Sequence, residues 1–228
     1  MDVAESLAAA LASWAQFPVH SAERPIVPIG GWLREAGYIS SEAKIAFTEN
    51  RLRVGDGVAG TAVASLVAEM GPLLSEPGQS LTVQGAVPLR YSFATDRGPR
   101  ELRGWSLEVT DSIGPVVVVD VDERERLWFP PELGREGGTA YCLDTDCTRL
   151  RYRFMGTPSA YADYDGVDLA ASETAVAVRP REHRTVAQGQ AMLLYAEERD
   201  VKIHLAEPLG ARVLVNETGY PIAVLQSG

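Results

Sequence analysis

Five stretches of this 228-residue chain carry side chains whose type and spacing could do chemistry. Gly55-Asp56-Gly57-Val58-Ala59-Gly60 sets three glycines where a backbone can approach a phosphate or carboxylate, at what reads as a helix N-terminus. Arg179, Arg181 and Arg184 surround His183, a basic knot able to hold an anion beside an imidazole suited to acid–base work. Arg149, Arg151 and Arg153 alternate with Leu150, Tyr152 and Phe154. On a strand that period sets three guanidinium groups on one face, a strip for an acidic partner or a solvated surface. Asp163, Asp165 and Asp168 around Gly166 offer the hard oxygens of a calcium loop. The glycine falls too early and no Glu closes the run, so an acidic surface turn is the reading. Cys142 and Cys147 flank four residues, which fits two reduced structural thiols or a facultative disulfide across a hairpin mouth. Zinc needs four ligands, and His20, His183 and His204 are far off in sequence, so no metal is expected.

These residues need elements to hold them. Val3, Leu7, Leu11 and Trp14 fall on one helical stripe over residues 2–16, with Asp2 as cap. That stripe is also a candidate contact surface. Residues 44–47 and 51–54 read as two short strands. A second helix runs from Asp56 as N-cap to a stop at Gly71-Pro72, with Ala59, Ala62, Val63, Leu66, Val67 and Met70 on its apolar face. From residue 80 onward the pattern is strand after strand, with Val116–Val119 a β-branched run buried on both faces. Residues 179–184 read as an exposed loop, and Asn216–Gly219 as a hairpin loop. Strands without intervening helices favour antiparallel connections. The expected fold is α+β and β-rich: two N-terminal helices packed on a mostly antiparallel, twisted sheet or partly closed barrel. It is read as one domain over 1–228, with sub-lobes 1–78 and 79–228.

Residues 51–76 resemble the Rossmann fingerprint of flavin and nicotinamide enzymes. Arg51–Val54 stands as the preceding strand, and Ala64 and Gly71 as the small residue and the helix-ending glycine. The resemblance implies a turn at Gly55, approach of a pyrophosphate at Gly57 and close helix–strand packing at Gly60. It covers about a tenth of the chain. The strand order after residue 80 lacks the alternation of a doubly wound sheet. No cofactor is therefore expected, and a dinucleotide is kept as the alternative.

The net charge of −10 repels phosphate backbones and anionic lipid, so neither nucleic acid nor membrane is an expected partner. An apolar share of 46% supports a substantial core. The absence of Lys and Arg before residue 17, with two cysteines in all, points to the cytoplasm. The expected function is a non-catalytic module that binds a protein partner or a small ligand. The alternative is an enzyme acting on a phosphorylated or carboxylated small molecule. Its anion would sit at the Gly55–Gly60 turn or near Arg179, Arg181 and Arg184, with His183 as acid–base group.

Overall fold

The structure, a computed structural model, describes residues 2–29, 33–34, 37–49, 51–70, 78–120, 123, 126–128, 137–185 and 195–226. In chain order the helices are α1 (Val3–Ser13), α2 (Ser41–Thr48) and α3 (Ala62–Met70). The first strands are β1 (Leu33–Arg34), β2 (Leu52–Val54), β3 (Leu81–Phe93), β4 (Arg100–Val109) and β5 (Val116–Val119). The later ones are β6 (Thr139–Cys142), β7 (Arg149–Gly156), β8 (Ala162–Ala171), β9 (Ala175–Arg184), β10 (Glu197–His204), β11 (Val213–Asn216) and β12 (Ala223–Gln226).

The chain forms two compact units that interleave along the sequence rather than meeting at residue 78. One is Gly31–Phe93 with Arg100–Arg126; the other is Met1–Gly30, Ala94–Pro99 and Leu127–Gly228. Among the described residues there are three helices and three mixed sheets, none closed into a barrel. The fold is β-rich and most strand pairs are antiparallel, as expected; the count of two helices, the one sheet and the partly closed barrel are corrected.

The first of these units is a five-stranded sheet in the order β1-β5-β4-β3-β2. Its edge strand β2 runs parallel to β3, because α3 makes the crossover between them. The strand expected at 44–47 is instead part of α2. Ser40 caps that helix, accepting from the Ala43 amide at 3.0 Å, and Ala43, Ala46 and Phe47 are buried at helical spacing. β3 runs unbroken where two strands were expected, with one bulge between Val83 and Gly85. All four valines of β5 are buried, as their β-branched run requires.

The other unit stacks two sheets, β10-β7-β6-β12 and β11-β9-β8, each with one parallel pair at its edge. Asp2 caps α1 as expected, accepting from the Val3 amide. The helix buries Leu7, Ala10 and Trp14 against Ala175, Ala177, Val213 and Val215. Trp14 is fully buried and donates from Nε1 to the Gly219 carbonyl at 2.9 Å. The Leu7 and Trp14 stripe is therefore core and not a contact surface. Asn216–Gly219 turns the chain back as expected, with Asn216 N donating to Tyr220 O at 3.0 Å and an antiparallel bridge between Val215 and Pro221, but the longer pairings lie elsewhere: β11 pairs with β9, and β12 with β6 in the other sheet.

A short inserted segment, Thr95 to Gly98, ties this unit together. Asp96 is almost wholly buried, and its carboxylate pairs with Arg24. Arg24 also donates from Nε to the Ala211 carbonyl at 2.7 Å. The Asp96 main chain donates to Val27 O and accepts from Val224 N. Arg97 donates to the carbonyls of Gly210 and Arg212.

Candidate functional site

β9 explains where the site lies. Its side chains alternate between two cores: Ala175 and Ala177 face α1, while Val176 and Val178 face the cluster built by β6, β7 and β10. The strand outruns both covers. Beyond Val178 every residue is half-buried or exposed, although the pairing with β8 continues to Arg184. The residues read as an exposed loop are thus strand. Alternation carries Arg179, Arg181 and His183 onto the α1 side and Pro180, Glu182 and Arg184 onto the other.

β8 supplies the facing groups. The expected acidic turn at 163–168 is instead the middle of this strand, with Asp163 opposite His183 and Asp168 opposite Arg179. A bulge between Tyr164 and Val167 adds Asp165 and Gly166 to the ladder. Bulges re-aim side chains, and here Asp165 meets two partners. Its carboxylate lies 3.2 Å from Arg181 Nε and 3.0 Å from His183 Nε2. All three groups are largely exposed, so the pairs hold orientation more than stability.

On the opposite face Glu182 is held from three sides. Tyr164 Oη and Thr157 Oγ1 each donate to Oε2 at 3.0 Å, and Arg184 Nε donates to Oε1 at 3.0 Å. Burial acts to raise the Glu182 pKa, but the bonds from Arg184, Tyr164 and Thr157 outweigh it and hold the carboxyl below its usual range. Phe154 packs edge-on against Tyr164, with ring centroids 5.0 Å apart, and Arg199 lies over the Tyr164 ring.

Thr157, Tyr164, Glu182, Arg184 and Phe154, with Arg179, Arg181 and His183, wall an open cavity of about 1110 Å³, which also takes in Arg153, Met155, Tyr195 and Glu217. Its charges are mostly matched. Arg153 pairs with Glu198 at 3.4 Å, Arg184 with Glu182 and Arg181 with Asp165. Two charged side chains on the wall, Arg179 and Glu217, are half-buried and have no hydrogen-bond or ion-pair partner among the described residues. The structure therefore gathers Arg153, Arg179, Arg181, His183 and Arg184 into one cavity. Sequence reading missed Thr157, Tyr164, Glu182 and Glu217. Only the alternation through 175–184 could have signalled a strand there.

The remaining candidates lie apart from this cavity. Arg149 pairs with Asp144 and Arg151 with Asp200. Each arginine of the strip thus has its own carboxylate, and the Asp200 bond raises the Arg151 pKa. In the glycine run, residues 56–58 form one 3-10 turn and α3 begins only at Ala62, so Asp56 does not cap it. The Gly55 amide donates to Val83 O at 2.9 Å. A Cβ on Gly55 would stand 2.8 Å from that oxygen, and one on Gly57 well inside contact distance of Gln84 O. These glycines allow close approach of β3. The stop at Gly71-Pro72 lies outside the described residues. Cys142 and Cys147 form a disulfide, both buried in the core between the two sheets. Among the described residues no group of three or more His, Cys, Asp and Glu is placed to hold a metal. No helix there is long and apolar enough to cross a membrane.

Comparison with family models, curated proteins and solved structures gives no match.

Proposed function

We propose that the chain is a non-catalytic binding module that takes a carboxylate-bearing small molecule in the cavity at the overhanging end of β9. The observation that carries this reading is Arg179, the one cation on the wall without a partner among the described residues. Its planar fork suits a carboxylate, and a half-buried guanidinium strengthens such a bond. Loss of one charge-assisted hydrogen bond is worth about 1.5–3 kcal/mol, or roughly 10- to 150-fold in affinity. Calorimetry with a panel of small carboxylates should find binding that Arg179→Gln weakens by that factor. The variant should melt with the parent, because no protein partner is lost. A flat panel at millimolar concentration, or an unchanged Arg179→Gln, would remove the reading.

The Asp165–His183 contact supports the enzyme alternative, with Asp165 orienting the imidazole as a general base. In that case His183→Gln abolishes turnover of a bound carboxylate and leaves its binding intact. As for compartment, a disulfide buried in the core favours oxidising surroundings over the cytoplasm expected from composition.

A further inference from the structure

We propose that the ligand of this cavity is a zwitterion: a carboxylate and an ammonium group on an apolar body, as in an apolar α-amino acid. This rests on the carboxylate reading and adds Glu217 to it as a second anchor. β11 and β9 run parallel, and their last register pair sets Asn216 beside Val178. Glu217 and Arg179 are the next residue on each chain. Two opposite charges thus stand at the same end of the same strand pair, on the wall of one cavity, with no ion pair joining them. A ligand carrying both charges satisfies both groups. A simple anion satisfies Arg179 and leaves a half-buried carboxylate unpaired, which is unfavourable. A phosphate likewise pairs with Arg179 and leaves Glu217 without a cation.

The apolar body is indicated separately. Met155 and Tyr195 are 65% and 53% exposed, and both line this cavity beside Phe154. Large apolar side chains left open around a few convergent polar groups are the ordinary composition of a small-molecule site.

Calorimetry on the full chain separates the readings. The ligands are L-phenylalanine, L-leucine and L-methionine, then 3-phenylpropionate without the ammonium, phenethylamine without the carboxylate, and inorganic phosphate. At least one amino acid should bind tenfold or more tightly than either half-ligand and than phosphate. Glu217→Gln should weaken that amino acid about tenfold and leave 3-phenylpropionate unchanged or tighter, with no loss of melting temperature. If 3-phenylpropionate binds as tightly as phenylalanine and Glu217→Gln changes neither, the zwitterion proposal fails and the carboxylate reading stands. If phosphate binds best, the proposal fails for a general anion site. If none of the carboxylates binds, both readings fall.

Discussion

Reducing the Cys142–Cys147 bond should cost the protein about 2 kcal/mol. The perturbation is a dithiol or phosphine reductant, which converts the bridge to two thiols without altering any other covalent bond. The two cysteines are five residues apart, and loop-closure entropy for so short a loop gives about 2 kcal/mol at 25 °C. For a chain of this size that is a fall in melting temperature of roughly 4–8 °C. Two features should keep the loss near that figure. Both sulfurs are buried, so the thiols stay in an apolar site that suits them. Asp144 also holds the loop independently, its carboxylate accepting from Thr148 N at 2.9 Å, Thr148 Oγ1 at 2.8 Å and Arg149 N at 3.1 Å. Against that, Cys147 sits at φ +53°, a left-handed conformation that a released residue would leave. Gln226, which donates to Cys147 Sγ at 3.4 Å, ties the last strand to the same sulfur. Hydrogen exchange should therefore quicken first at Asp146–Thr148 and at Val224–Gln226, with β7 still protected. The assay is a denaturant titration with and without reductant. Coincident curves would refute the reasoning, as would a loss of β7 protection before that of β12.

Other perturbations have equally definite outcomes. Asp96→Ala should destabilise by about 3–5 kcal/mol in a thermal or denaturant melt, because it leaves the Arg24 guanidinium without its carboxylate, held only by main-chain carbonyls; a loss under 1 kcal/mol would show the segment to be dispensable. Gly57→Ala should cost roughly 1–3 kcal/mol with no ligand present, since its Cβ meets the Gln84 carbonyl. Gly60→Ala should cost only about 1 kcal/mol, from its φ of +78° alone in open space. The reverse ranking would refute the close approach of Gly57 to the Gln84 carbonyl. Acid should weaken the fold: Asp144, Glu182 and Asp200 titrate below their ordinary values. For Asp144 and Glu182 burial acts to raise the value and hydrogen bonds outweigh it; for Asp200 the bond from Arg151 leads. A depressed carboxyl stabilises the fold above its unfolded pKa and loses that effect as pH falls through the folded one. The melting temperature should hold above about pH 5 and fall below about pH 4; a flat profile down to pH 3 would contradict those hydrogen bonds.

How much of this was legible depended on whether local pattern and tertiary setting agreed. α1 was readable because one stripe, Leu7 to Trp14, is also the buried face, and its cap precedes it in sequence. β5 was readable because four valines in a row fit a strand covered on both sides. α2 is hidden because Lys44–Phe47 taken alone is a short, mostly apolar run that suits a strand, whereas the capping serine and the helical spacing of Ala43, Ala46 and Phe47 decide the outcome. The parallel edges were hidden too. Val213–Asn216 and Ala223–Gln226 look like a hairpin from the turn between them, yet each finds a distant strand with an open edge.

β9 was the harder case, and the reason bears on function. A strand is recognised by the face it buries, and β9 stops burying either face at Val178 while its ladder to β8 runs on. Past that point Arg179 to Arg184 are charged on both sides, so polarity suggested a loop. A free-running strand end of this kind should fray, since exposed charge adds no burial to offset the ordering of its backbone. Here the pairing with β8, the Asp165 bulge and the Glu182 network hold it straight. Rigid polar groups projecting beyond a core keep their geometry in the absence of ligand, which is what a binding site needs to avoid an ordering cost on association. The carboxylate and zwitterion readings follow from that rigidity together with the two charges left unmatched. If hydrogen exchange instead shows Arg181–Arg184 as unprotected as a loop, the preorganised wall is lost, and with it the physical basis for selecting one charged ligand over another.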